Sequence, residues 1–200
     1  MQYERTHLKS EQGSEEWLSL RAGRFTSSNI KELLMNPNTK GYQDAIKRVA
    51  FEIITGNRVD DGFKSEWMTR GNELEAEARM NYEATTFNVV TPGGFFLYGD
   101  HQGSSPDGLI SEDALLEIKC PKYNTMVDYL IDKEVPKIYI PQIQHQLSCT
   151  GRDWCDFVAY HPGVRPLVIR VGRDEAMIEN INIAVEAAIV RVNDLITKIR

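Results

Sequence analysis

The chain has 200 residues, 42% of them apolar and 26% charged, enough to bury a sizeable core and too apolar for a disordered protein. Its net charge of −6 comes with no basic run, which excludes a disordered basic arm and means that any polyanion has to be held in a focused groove, as a cleft or a ring provides. Apolar stretches fall far short of the ~20 residues that span a bilayer. The polar opening Met1-Gln2-Tyr3-Glu4-Arg5 lacks a signal-peptide pattern, and Cys120, Cys149 and Cys155 form no Cys-x-x-Cys pair, so a cytoplasmic protein without membrane contact, disulfide framework or zinc site is expected.

In chain order, Ser14 is placed to cap a first helix with Glu15 and Glu16 in its opening turn, and a short second helix runs from about Asn29 to before Pro37. Tyr42, Ala45, Ile46, Val49, Ala50, Ile53 and Ile54 recur at helical spacing and Gly56 follows as a stop. A polar loop leads to Trp67, and 68–82 reads as a helix carrying Glu75. Short strands are predicted at 87–90, 95–98, 108–110 and 114–119, then helices at 126–131 and 138–149 with Pro141 near the start of the second. Strands at 156–160 and 167–171 precede a long helix over 174–199 with a wide apolar face. No repeat or linker interrupts this series. It predicts one α/β domain over 1–200, with a helical part at about 14–84, a sheet core at about 86–172 and the C-terminal helix at about 174–199, the helices flanking a central mixed β-sheet.

Chemistry concentrates in Ser105-Pro106-Asp107-Gly108 and Leu115-Leu116-Glu117-Ile118-Lys119. On a strand Glu117 and Lys119 share one face and Ile118 points to the other. Glu117 also interrupts an apolar run that otherwise reads as a buried strand, and a buried ion is costly unless paired or metal-bound. Two carboxylates suit Mg²⁺, which keeps several waters and binds substrate phosphate, and an adjacent lysine can orient or deprotonate an attacking water. Together they point to metal-assisted cleavage of a phosphodiester. The bland readings are a good type I turn at 105–108, a mutual ion pair for Glu117 and Lys119, and solvated helix faces for Glu75, Gln142 and Gln144.

Asp107 with Glu117-Ile118-Lys119 matches the PD-(D/E)xK nuclease signature, and the surroundings resemble the phage lambda exonuclease branch, the YqaJ-type viral recombinases. The resemblance includes Glu11-Gln12-Gly13, Trp17, Leu20-Arg21 and Thr26-Ser27-Ser28, then Arg70-Gly71-Asn72-Glu73-Leu74-Glu75 with Ala78-Arg79, and Tyr139-Ile140-Pro141-Gln142-Ile143-Gln144, in order across about 11–160. It implies a double-stranded DNA exonuclease working 5′ to 3′ with two Mg²⁺ ions per site, Mn²⁺ being a substitute. Asp107, Glu117 and the Ile118 carbonyl would hold metal, Glu75 would support the second ion or its water, and Lys119 with Gln142 would hold the nucleophilic water. Arg21, Ser28 and Ser105 would grip a 5′-terminal phosphate, for which guanidinium and hydroxyl groups are suited, and Trp67 or Met68 would part the strands. The family further implies a homotrimeric ring around DNA and a single-strand annealing protein as partner in phage-type recombination. A PD-(D/E)xK endonuclease of restriction or repair type and a catalytically silent DNA-binding or scaffold protein are the alternatives. The end-binding set Arg21 and Ser28 weighs against the first, and the intact set Glu75, Asp107, Glu117 and Lys119 weighs against the second.

Overall fold

Ser14 accepts the backbone N–H of Trp17 at 3.2 Å and so caps α1 (Glu15–Arg21) in a computed structural model that describes residues 3–59 and 66–200, the side chains of 66–69, 71 and 72 excepted. The predicted second helix is a 3₁₀ segment, Ser27–Leu34. In α2 (Lys40–Thr55) the apolar repeat is buried along Tyr42, Ala45, Ile46, Val49 and Ala50, and Gly56 ends the helix in the left-handed conformation, φ 70°. Those residues pack against Ile181, Val185, Ala188 and Val192 of α6 (Glu175–Ile199), which Asp174 caps by accepting from Met177 N at 3.0 Å.

The strands form two sheets rather than one. The first takes the order β1-β4-β5-β2, from Arg5–Leu8, Phe95–Tyr98, Gln102–Ser104 and Phe25–Thr26; the second is β3-β6-β7-β8-β9, from Val90–Thr91, Gly108–Ile110, Ala114–Lys119, Trp154–Ala159 and Leu167–Gly172. Strands β1, β2 and β5 are absent from the sequence prediction because none carries a period-2 apolar signal. β1 is a largely exposed edge, β2 has two residues, and β5 is the polar run Gln102-Gly103-Ser104, buried by its neighbours. The strand predicted at 87–90 is mostly not one. α3 (Glu66–Thr86) continues to Thr86, and Phe87 closes it by donating to Glu83 O at 2.9 Å from a left-handed conformation, φ 59°, where glycine is usual.

β7 lies between antiparallel β6 and parallel β8. Its alternating side chains face two helices: Leu116 and Ile118 join Ala78 and Tyr82 of α3, while Leu115 joins Ile143 and Leu147 of α5 (Ile140–Thr150). α4 (Tyr123–Asp132) covers the same side as α5 through Met126. Glu117 and Lys119, in phase with Leu115, are therefore delivered to the α5 side. Among the described residues no helix is long and apolar enough to cross a membrane.

Candidate active site

The antiparallel register Gly108↔Leu116 carries on to set Asp107 opposite Glu117. Asp107 Oδ2 accepts the N–H of Ile118 at 2.6 Å, and the Asp107 carbonyl accepts from Arg79 at 2.9 Å. Gly93 holds the loop from outside, since a Cβ there would lie 1.9 Å from the Pro106 carbonyl oxygen. Residues 105–107 follow this packing and form no hydrogen-bonded turn, with the chain bending at Asp107.

Glu117 is 1% exposed, and both of its oxygens are hydrogen-bonded. Its Oε1 pairs with Lys119 Nζ and accepts Gln142 Nε2 at 2.5 Å, while Oε2 accepts Gln146 Nε2 at 2.6 Å. Gln142 and Gln146 are one helical turn apart on α5 and reach the same carboxylate. Gln146 is missing from the sequence reading, although its i+4 spacing from Gln142 was the available signal. Gln144 turns away, donating to Gly172 O at 2.8 Å and accepting from Asp174 N at 2.8 Å. Glu75 accepts from Arg79 at 3.1 Å, so Arg79 ties it to the Asp107 loop.

Electrostatics follow from this crowding. Burial, and then the charge of Glu117, push the Asp107 carboxyl well above its usual range. Glu75 is also raised, by burial first, with Glu117 adding to it against the opposing Arg79. For Lys119 burial pulls downward but the charges of Glu117 and Asp107 outweigh it, and the ammonium is held above its ordinary value. Glu75, Asp107 and Glu117 therefore share two cations, Arg79 and Lys119, and the negative charge left over is one that a divalent cation would neutralise. Among the described residues no three histidine, cysteine or carboxylate side chains are clustered to hold a metal unaided. The donors present are the carboxylates of Asp107 and Glu117 and the carbonyl of Ile118, all hard oxygens, and they fit Mg²⁺ with the rest of its shell left to water and phosphate.

Asp107, Glu117 and Lys119 form one wall of a cleft of about 160 Å³; Trp17, Arg21, Ser27, Ser28 and Ser105 form another, with Gln12 at its side. Arg21 donates to Thr26 Oγ1 at 3.2 Å and Ser28 Oγ at 3.3 Å and lies 4.3 Å from the Trp17 ring centre. Among the described residues no carboxylate pairs with it. Burial, helped by Arg58 and Arg48, lowers it to about 9. Ser105 accepts from Trp17 Nε1 at 2.9 Å and donates to Gly94 O at 2.8 Å. Behind Ser27 stands His145, fully buried, with Nδ1 2.7 Å from Ser27 Oγ and Nε2 3.0 Å from Gln102 Oε1; burial depresses it to about 3, so it is neutral. No sequence signal joins Ser27, Gln102 and His145, which come from separate elements. The structure thus brings Asp107, Glu117, Ile118, Lys119 and Gln142 together, sets Glu75 beside them, and puts Arg21, Ser28 and Ser105 across the cleft. Trp67 and Met68 fall in the opening turn of α3, and their side chains lie outside those described.

The fold is shared with known proteins. Residues 16–153 match the model of the YqaJ-like viral recombinase domain. An alkaline exonuclease of Laribacter hongkongensis, LHK-Exo, is 32% identical, with a TM-score of 0.83 over 93% of this chain and 96% of that one, and its complex with dAMP gives a TM-score of 0.84 at the same identity. A phage-related exonuclease of Haemophilus somnus 129PT, 16% identical with a TM-score of 0.68, shares the fold. An uncharacterized protein of Acanthamoeba polyphaga mimivirus, R354, is 28% identical over 168 residues, and the chain spans 29% of that protein's length. With the family model covering most of its length, the chain belongs to the YqaJ-like viral recombinase domain family.

Proposed function

We propose that this chain is a Mg²⁺-dependent exonuclease of double-stranded DNA that degrades one strand from its 5′ end and leaves 3′ overhangs for recombination by strand annealing. The observation carrying this reading is one cleft with two chemistries: clustered acids and a lysine on one wall, and across it a guanidinium that no described carboxylate neutralises. The likeness to LHK-Exo, which is known with dAMP, supports it.

Asp107, Glu117 and the Ile118 carbonyl would hold the metal, with Glu75 supporting a second ion or its water. When bound, Mg²⁺ supplies polarisation of the phosphoryl oxygen and charge neutralisation at the attacking and leaving oxygens. Gln142, Gln146 and Lys119 hold Glu117 in a single orientation by their hydrogen bonds. Lys119, kept cationic by its neighbours, orients the attacking water and offsets negative charge as it builds up. Arg21, Ser28 and Ser105 take the terminal 5′ phosphate and so set which bond enters the acids. A homotrimeric ring and a single-strand annealing partner complete the proposal, since enclosure retains an acidic protein on DNA with less dependence on counterion release. The test incubates pure protein with Mg²⁺ and end-labelled linear duplex beside a closed circle. Loss of mononucleotides from 5′ ends of the linear DNA alone is expected, and cutting of the circle at a similar rate would refute an exonuclease.

A further inference from the structure

Arg21 is accompanied by a second guanidinium near the Trp17 ring. Arg58 Cζ lies 5.9 Å from the ring centre, and of the neighbouring charges acting on Arg21 that of Arg58 is the largest. Arg58 is exposed, and among the described residues no carboxylate pairs with it.

The segment bearing it is anchored. Beyond Gly56, Asn57 donates through N to Thr55 Oγ1 at 3.3 Å and through Nδ2 to Thr55 O at 3.0 Å. Val59 N then donates to Glu52 Oε1 at 3.0 Å, while Glu52 Oε2 accepts Gly23 N at 2.9 Å in the turn after α1. Gly23 adopts φ 71°, and a Cβ there would lie 2.9 Å from Ile53 Cγ1, so the turn is pressed onto α2. One buried carboxylate thus ties the residue after Arg58 to the turn that follows Arg21, and it holds the two guanidinium-bearing segments at a set spacing.

We infer that Arg58 is a second end-recognition residue, which with Arg21 reads the extra negative charge of a 5′-phosphomonoester, and that Glu52 positions it. This rests on the exonuclease reading above. A phosphomonoester carries about −1.5 to −2 near neutral pH, as phosphorylated side chains do, whereas an internal diester carries one charge. Arg21 alone matches the diester; the pair matches the free end.

The test compares wild type, Arg58→Ala and Arg58→Lys on linear duplexes that differ only in a 5′-phosphate or 5′-hydroxyl. Initial rates are measured in Mg²⁺, and binding of the same duplexes is measured in EDTA across a salt series. Arg58→Ala is expected to cut the phosphate-over-hydroxyl rate ratio by about tenfold, the size of one charge-assisted contact, and Arg58→Lys to recover part of it, keeping the charge without the planar fork. The slope of log affinity against log salt should become shallower by about one for the phosphorylated duplex and by less for the hydroxyl duplex. Glu52→Gln, which retains one acceptor, should lower the rate ratio in the same direction by a smaller factor. If Arg58→Ala slows both ends by one factor and leaves the ratio of a phosphate-preferring wild type intact, Arg58 is a general backbone contact and the inference is overturned alone. If wild type itself shows no end preference, or attacks circles as readily as linear DNA, the exonuclease reading fails and this inference falls with it.

Discussion

Replacing Asp107 by asparagine should make the metal-free protein more stable while abolishing cleavage. Asn keeps the shape and an oxygen to accept the Ile118 N–H but removes a buried charge facing Glu117 and Glu75. In the native state that carboxyl is raised above its usual value of 3.8, so between there and the raised value the folded protein binds more protons than the unfolded one, and wild-type stability falls as pH climbs. The variant is exempt from this loss. Its advantage should therefore be absent near pH 3.8, widen as pH rises toward the raised value and stay constant above it. A buried charge whose desolvation is only partly offset costs on the order of 1–3 kcal/mol, and at about 2–4 °C per kcal/mol for a chain of this size the expected rise in Tm is about 2–12 °C. The assay is thermal unfolding in EDTA at several pH values, repeated with Mg²⁺, which should raise the wild-type Tm through binding to the native state and narrow the gap. A variant that melts below wild type in EDTA at alkaline pH would show that Asp107 is not electrostatically frustrated and would remove the stated reason for metal binding here.

Lys119→Ala should lower kcat by about 10²–10⁴ with little change in KM, because in the proposed mechanism the ammonium acts on water in the transition state; steady-state rates on linear duplex check this, and a loss confined to KM would contradict it. Gln146→Leu strips Glu117 Oε2 of its donor while Lys119 and Gln142 still hold Oε1. The exposed need of a buried carboxylate oxygen costs about 1–3 kcal/mol, so Tm should drop in calorimetry, and an unchanged Tm would mean that the bond contributes nothing. Light scattering should give three times the 22.8 kDa chain mass, and a monomer mass at working concentration would sink the ring while leaving the nuclease chemistry intact.

What the sequence by itself determined is what contiguous residues encode. The period of α2, the Gly56 stop, the Ser14 cap and the shared face of Glu117 and Lys119 all depend on spacing within one element, where geometry repeats every few residues. The turn residue Asp107 was also legible beside Glu117, family motifs added Glu75, Gln142, Arg21, Ser28 and Ser105 as candidates, and the fold assembles them around one cleft and its border. Tertiary structure decided the rest. The division into two sheets depends on β5, a polar run that becomes a strand only because β4 and β2 flank it. Gln146 was distinguished from Gln144 by which face of α5 meets β7, and His145 found Ser27 and Gln102 across 118 and 43 positions. Likewise Arg58 reaches Trp17 because Glu52 grips two turns far apart in the chain. A local pattern states which side chains point the same way, but a partner on another element is selected by the packing of the whole core, and no spacing within a single segment carries that information.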